Sequence, residues 1–217
     1  MNKETLHKLR WIIPGVIFCF FLVFLVKEPK EFLEFKLTAD GVYYICVVIP
    51  VAFFYYMINP RMWLMKKPLK RITENIKDKL LAPFSDNDEV IKATDFLREG
   101  DKLINVFYFL IDNDRSLTER AKEVYFNGLI WSSLADFTLI SPFASLAFFI
   151  KYLYTDNPDF LISSGFILAL FIISVLLLPK VVQKHIFFSN YQLSYITENL
   201  YKKLDEQIKS LLKKRAP

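Results

Sequence analysis

Apolar residues of this chain are concentrated in four long blocks separated by polar segments. The blocks cover residues 11–26, 42–58, about 124–150 and 160–178. A helix needs about 20 apolar residues, and no fewer than about 17, to cross a hydrocarbon core of roughly 30 Å. Each block is therefore predicted to be a transmembrane helix. The first two are short, so a shallow re-entrant hairpin is the alternative for that pair.

Composition agrees with a lipid environment. Hydrophobic residues make up 53% of the 217 positions, and 22 of them are Phe. Aromatic-rich apolar runs suit a membrane, where helices satisfy their own backbone polar groups. The predicted fold is an all-α integral membrane protein with four transmembrane helices and a helical cytoplasmic unit. The first block lacks a small-residue cleavage site, so we expect a retained signal-anchor.

Charges flanking the blocks predict the orientation, because Lys and Arg accumulate on the cytoplasmic side. The segment 61–79 has seven basic and two acidic residues, and both terminal segments are also basic. The loops 27–41 and 151–159 instead contain more acids than bases. Both termini are therefore predicted to be cytoplasmic, in an inner or plasma membrane. The predicted divisions are 1–58 and 124–179 in the membrane, with 59–123 and 180–217 in the cytoplasm.

The segment 59–123 is too long to be an unstructured loop. Its apolar residues recur at helical spacing from Leu69 to Leu80. With its basic residues, this helix is predicted to lie against anionic lipid headgroups; the alternative is a helix that packs on its neighbours. The basic residues proposed for membrane contact are Lys66, Lys67, Lys70 and Arg71.

Further helices are predicted along the same segment. One runs from about Asp88 to Arg98 and is closed by Gly100. Residues 103–111 are a buried strand or, preferably, a helix. Ser116 and Glu119 are predicted to form a capping box for the helix that leads into the third span.

The tail, residues 189–214, is predicted to be an amphipathic helix. Its apolar residues recur every three or four positions. The expected contact is with the chain's own cytoplasmic unit, and a subunit interface is the alternative. The apolar stripe consists of Leu193, Ile196, Leu200, Leu204, Ile208 and Leu211.

The third span carries unusual polar residues. An ionisable residue within a span is costly and by default indicates a site, so Asp136, with Ser132 and Ser133, is the candidate intramembrane polar site. The alternative places Asp136 near the cytoplasmic interface or in a structural bond to a neighbouring helix. A second face has the small-residue pattern that permits close helix packing. Its members are Thr138, Ser141 and Ser145.

Catalytic and cofactor motifs are not found in the sequence. Five glycines without clustering exclude a phosphate-binding loop, and two His with two Cys leave no metal-ligand set. A net charge of +5 is too small and dispersed to indicate direct nucleic-acid binding. No catalytic residue, cofactor or metal is therefore predicted.

The expected function is that of a small non-enzymatic membrane protein, acting as a sensor, scaffold or effector. It would form a homo-oligomer, bind a soluble cytoplasmic partner, or both, beside its contact with anionic lipid. One alternative is an oligomeric ion channel or pore with Asp136 in the permeation path. A second alternative is a membrane-bound enzyme.

Overall fold

The computed structural model describes residues 3–26 and 39–214, and these residues are almost entirely helical without strands. The predicted loop 27–41 lies largely outside them. A short 3-10 turn, Ala82–Phe84, follows the third helix. In chain order the helices are α1 (Lys3–Val26), α2 (Ala39–Ile58), α3 (Met62–Leu81), α4 (Asp88–Lys92), α5 (Thr94–Arg98), α6 (Lys102–Asp112), α7 (Arg115–Thr155), α8 (Pro158–Asn199) and α9 (Tyr201–Lys213).

Three of these helices, α1, α7 and α8, are long and apolar enough to cross a membrane. The predicted second span lies in α2, a helix of 20 residues that contains the apolar stretch Ile49–Ile58. The chain is thus a helical, membrane-embedded protein, with three helices in its described part that are long and apolar enough to span a membrane. The fourth span stays a prediction.

The chain divides into two compact units. The first comprises Met1–Met65 and Gly128–Val181, and the second comprises Lys66–Asn127 and Val182–Pro217. The long helices α7 and α8 contribute residues to both. In the first unit α1 packs against α2. An apolar cluster joins α1 to α7 and α8 there, and its buried members are Phe21, Ala144, Phe148, Phe160 and Ile167.

The second unit has its own hydrophobic core. Helix α3 buries Ile72, Ile76 and Leu80, which is the apolar face that the spacing predicted. Residues 103–111 lie in α6, a helix as preferred from the sequence. The tail helix α9 packs on α6. Its buried residues are Leu204, Ile208 and Leu212.

The tail differs from the predicted single helix. Helix α8 continues without a break from the last apolar block to Asn199, and a new helix starts after Leu200. Leu193 and Ile196 are buried as part of α8. Beyond the break the buried positions recur every four residues, so Leu212 enters the core in place of Leu211.

The start of α7 corrects the predicted capping box. The side chain of Asp114 caps the helix, since its Oδ1 accepts a hydrogen bond of 3.0 Å from the backbone N–H of Leu117. Glu119 instead forms an ion pair with Lys122, 2.5 Å away. The helix begins at Arg115, so Ser116 already lies inside it and cannot act as the N-cap.

The predicted helix from Asp88 to Arg98 is likewise divided, into α4 and α5, at Ala93. Asn87 caps α4 by accepting hydrogen bonds from the backbone N–H groups of Glu89 and Val90. Gly100, with φ of 60°, adopts the left-handed conformation that glycine tolerates. It follows α5 at the predicted place.

Candidate functional site

Asp136 of α7 lies at the centre of a polar contact in the first unit. Its side chain is buried, and its Oδ1 accepts a hydrogen bond of 2.9 Å from the hydroxyl of Tyr55 on α2. The same oxygen lies 3.2 Å from Nε of Arg61. The other carboxylate oxygen, Oδ2, has no hydrogen-bond partner among the described residues.

Arg61 reaches this position because the chain turns sharply after α2. Asn59 adopts a left-handed backbone conformation, with φ of 48°, and Pro60 follows it. The backbone N–H of Asn59 donates to the carbonyl of Tyr55, which ends the helix. Arg61 therefore lies in the turn, before α3 begins at Met62.

The guanidinium of Arg61 connects three helices. Nη2 donates a hydrogen bond of 2.9 Å to the backbone carbonyl of Arg10 on α1, while Nε pairs with Asp136 on α7. Its carbon Cζ also lies 5.9 Å from the centre of the Tyr55 ring. A buried carboxylate is tolerated when it is paired and hydrogen-bonded. Oδ1 of Asp136 has both an ion-pair partner and a hydrogen-bond donor, whereas Oδ2 has neither among the described residues.

Ser132 and Ser133 do not join this contact. Both hydroxyls donate to the carbonyl of Leu129 in their own helix, at 2.9 Å and 2.8 Å. Such bonds to the preceding turn are common for serine in helices. The sequence identified Asp136 but missed Tyr55 and Arg61. Arg61 could have been found from its position, because it is the first cation after the second apolar block. It was interpreted only as a flanking charge.

The small-residue face of α7 contacts α8 within the same chain. The hydroxyls of Thr138 and Ser174 lie 2.8 Å apart. Ser145 and Ser164 exchange hydrogen bonds, since each hydroxyl donates to the other residue's carbonyl, at 3.0 Å and 2.9 Å. Ser141 is buried, and its hydroxyl has no partner among the residues described. This face is therefore occupied by an intramolecular helix contact.

The four basic residues proposed for membrane contact, in the first half of α3, are all exposed. They are Lys66, Lys67, Lys70 and Arg71, whereas Lys77 of the same helix is buried. Trp63, in the first turn of α3, is 79% exposed. Exposed Trp and clustered Lys or Arg are typical of helices at a membrane surface.

A second ion-pair cluster joins α3 to α5 in the second unit. Arg98 lies 2.5 Å from both Glu74 and Asp78. Lys77, which is buried, donates to the backbone carbonyl of Arg98 at 2.8 Å. The hydrogen bond from Arg98 holds the pKa of Glu74 below its usual value, and the positive charge of Lys77 acts in the same direction.

The second unit also exposes aromatic residues on α8. Phe187 and Tyr191, one helical turn apart, are 66% and 56% exposed. The guanidinium of Arg120 on α7 lies 4.4 Å from the centre of the Tyr191 ring and 4.6 Å from that of Tyr195. We call Arg120, Phe187, Tyr191 and Tyr195 the aromatic face.

Among the described residues, no group of three or more His, Cys, Asp and Glu side chains is placed to hold a metal ion. Comparison with known proteins found no matching family model and no significantly similar curated protein or solved structure. The class of protein, a helical membrane-embedded protein, thus comes from the fold alone.

Proposed function

We propose that this chain is a non-enzymatic membrane anchor whose second unit docks a soluble cytoplasmic protein. It would act as a sensor, scaffold or effector by recruiting that protein to the membrane. The observation that carries the proposal is the aromatic face, because Tyr and Arg are enriched at the energetically dominant positions of protein interfaces. Two of its four side chains are more than half exposed.

The preference for a soluble partner over a homo-oligomer rests on two occupied surfaces. The small-residue face of α7, a candidate for helix association, packs on α8. The apolar stripe of the tail, a candidate subunit interface, is buried within the second unit. The aromatic face, by contrast, is exposed and carries Tyr and Arg side chains of the kind found at protein interfaces.

The channel alternative receives less support. A ring of carboxylates attracts cations only when the carboxylates are not already neutralised. The carboxylate of Asp136 is paired with Arg61 and hydrogen-bonded to Tyr55. This contact favours a structural role for Asp136.

Site-specific photocrosslinking tests the docking proposal. A photoreactive amino acid at Tyr191 should give an adduct with one soluble protein in native membranes. The matched control position is Lys202, which is exposed on α9 outside the aromatic face. An adduct of twice the chain mass would indicate a homo-oligomer instead, and equal labelling from both positions would contradict the proposal.

The proposed topology has four spans, with both termini in the cytoplasm. In its support, α2 is a 20-residue helix, long enough for a short span. The basic flanks then lie on one side. Single cysteines at Asn87 and Asn157, in a background without Cys19 and Cys46, should be labelled from opposite sides of the membrane. Labelling of both from the same side would contradict this topology.

A further inference from the structure

Arg120 is held against two tyrosine rings of the aromatic face. Its guanidinium carbon lies 4.4 Å from the centre of the Tyr191 ring and 4.6 Å from that of Tyr195. The two tyrosines are four residues apart on α8, so both rings lie on the side of that helix that meets Arg120 of α7. A cation over an aromatic ring is attracted by the ring electrons. Contact with two rings therefore restricts the orientation of the guanidinium.

Within the described part of the chain, no carboxylate pairs with this guanidinium, and its polar and ring contacts are those with the two tyrosines. Glu123 lies three residues further along α7, a spacing at which helical ion pairs form. Lys122 and Glu119, also three residues apart, form such a pair in the same helix. Arg120 instead extends across to α8. Its N–H donors thus have no hydrogen-bond acceptor among the described residues.

Arg61 and Arg98, by contrast, each pair with carboxylates of the same chain. The planar guanidinium matches the two oxygens of a carboxylate, and a bidentate pair of this kind is among the strongest hydrogen-bonded contacts in proteins. Arg120 presents the same group, already oriented by the tyrosines. Its carboxylate is not supplied by the described residues.

The charges around Arg120 restrict the kind of anion that fits. Three basic and three acidic residues, Arg120 included, lie within four positions of a member of the aromatic face, so their formal charges cancel. They are Glu119, Arg120, Lys122, Glu123, Lys184 and Glu198. Nucleic acids and anionic membranes instead attract surfaces with several unbalanced cations. A single carboxylate on an otherwise apolar segment fits this neutral, ring-lined surface.

We infer that Arg120 is the carboxylate-binding residue of the aromatic face. The inference rests on the proposed function and names the chemistry of the soluble partner, which presents an Asp or Glu side chain beside an apolar residue. The carboxylate forms a bidentate pair with the guanidinium, and the apolar residue packs on the exposed rings of Phe187 and Tyr191. Because the tyrosines orient Arg120 before the partner arrives, binding immobilises less side-chain freedom.

Peptide selection on the full chain tests this inference. The probe is a phage-displayed library of random peptides, and the chain is held in phosphatidylcholine nanodiscs. Peptides that also bind empty nanodiscs are discarded. A benzophenone-bearing amino acid at Phe187 then shows by photocrosslinking which peptides lie on the aromatic face. We expect these peptides to share an Asp or Glu next to an aromatic or aliphatic residue.

Affinities of the synthetic peptides assign the contact to Arg120. Replacing the acid of the peptide by its amide should weaken binding to the parent chain at least about tenfold, since hydrogen bonds between charged groups are strong. The same change should have little effect with Arg120→Met, in which the pair is already lost. Arg120→Lys should bind with intermediate affinity, because Lys keeps the charge but lacks the planar fork. Arg115→Met, at an exposed position of the same helix outside the face, is the matched control and should bind like the parent.

Peptides that lie on the face without a shared acid, or that bind Arg120→Met as tightly as the parent, would overturn the inference and leave the docking proposal intact. If no peptide bound the face, both would be overturned. Displacement of the peptides by anionic lipid in the nanodiscs would assign Arg120 to a lipid phosphate and also overturn the inference. If Arg120→Met does not fold, the exchange of acid for amide in the peptide still decides the inference on the parent chain.

Discussion

The Nε atom of Arg61 lies 3.2 Å from Oδ1 of Asp136, although Arg61 is in the turn after α2 and Asp136 is in α7, far apart in the chain. Both side chains are largely withdrawn from solvent, with 13% and 1% of their surface exposed. In the low-dielectric interior, the attraction between the two opposite charges offsets part of the free-energy cost of removing each of them from water. The ion pair also orients Arg61 toward the carbonyl of Arg10, so it joins α1, α2 and α7.

The first prediction concerns the strength of this pair. Replacing Arg61 with Met leaves a buried carboxylate without its counter-charge and should destabilise the fold by about 3 kcal/mol. Asp136→Asn should cost less, since Tyr55 can still donate to the amide oxygen. The double variant should be more stable than the sum of the single effects implies. Unfolding by SDS titration in mixed micelles, followed by circular dichroism, measures each value.

The control for this cycle is Lys8→Met. Lys8 forms a solvent-exposed pair with Glu4 within α1, so its loss should change stability little. Strictly additive effects of the Arg61 and Asp136 substitutions would show that the two side chains do not interact in the folded protein.

The second prediction concerns the packing of α7 on α8. Ser145→Ala removes the hydrogen bonds of the Ser145 hydroxyl to Ser164 and should cost about 0.6 kcal/mol, while the Ser164 hydroxyl can still donate to the backbone carbonyl of residue 145. Ser145→Leu must overpack a closely approached face and should cost about 1–3 kcal/mol. Phe143→Leu, at a 75% exposed position of the same helix, is the control and should be nearly neutral. Equal stability of Ser145→Leu and the control would contradict this helix contact.

The third prediction concerns acid sensitivity of the second unit. The folded-state pKa of Glu74 is lowered by Arg98, so the stabilisation is fully present above the unfolded value of about 4.3. It is lost as the pH falls through the folded pKa, because the protonated carboxyl no longer pairs with the cation. The protection of peptides covering α3 and α5 against hydrogen exchange, measured relative to the intrinsic exchange rate at each pH, should therefore fall below about pH 4.

Glu74→Gln should make this exchange faster at neutral pH and reduce its dependence on pH. Glu206→Gln, an exposed position on α9, should retain the parental pH dependence. If the Glu74→Gln protein kept the full acid response, the response would have to come from another carboxylate, which would contradict the prediction.

The fourth prediction concerns the basic residues of α3. In a background with Trp11→Phe and Trp131→Phe, the emission of Trp63 should shift to shorter wavelength when anionic lipid is added to nanodiscs. Each Lys or Arg near an anionic surface contributes about 1 kcal/mol, and salt screens the attraction. Replacing the four basic residues with Gln should abolish the shift. The residues are Lys66, Lys67, Lys70 and Arg71.

The control variant replaces four lysines of α9 with Gln, which keeps the change in net charge the same. These are Lys202, Lys203, Lys209 and Lys213. An equal loss of the emission shift in both variants would indicate a general charge effect rather than contact through α3.

Particular residues show how far prediction from sequence could go. The apolar face of α3 and the helix at residues 103–111 were predicted, because helical spacing of apolar residues is a local property. The predicted capping box of Ser116 and Glu119 was wrong, because Asp114, another good capping residue two positions earlier, accepts the hydrogen bond from Leu117 and the helix begins at Arg115. The division at Ala93 has no sequence signal comparable to proline or glycine.

The amino-acid sequence by itself determined that the protein is helical and embedded in lipid, because long uncharged apolar runs are unfavourable in any other solvent. It also identified Asp136 as a candidate polar site, since a carboxylate within a span is costly. Only the tertiary structure decided that Asp136 pairs with Arg61 and that the serines bond within their own helices or to α8. Which side chains meet depends on helix register and rotation, and these follow from packing over long sequence distances.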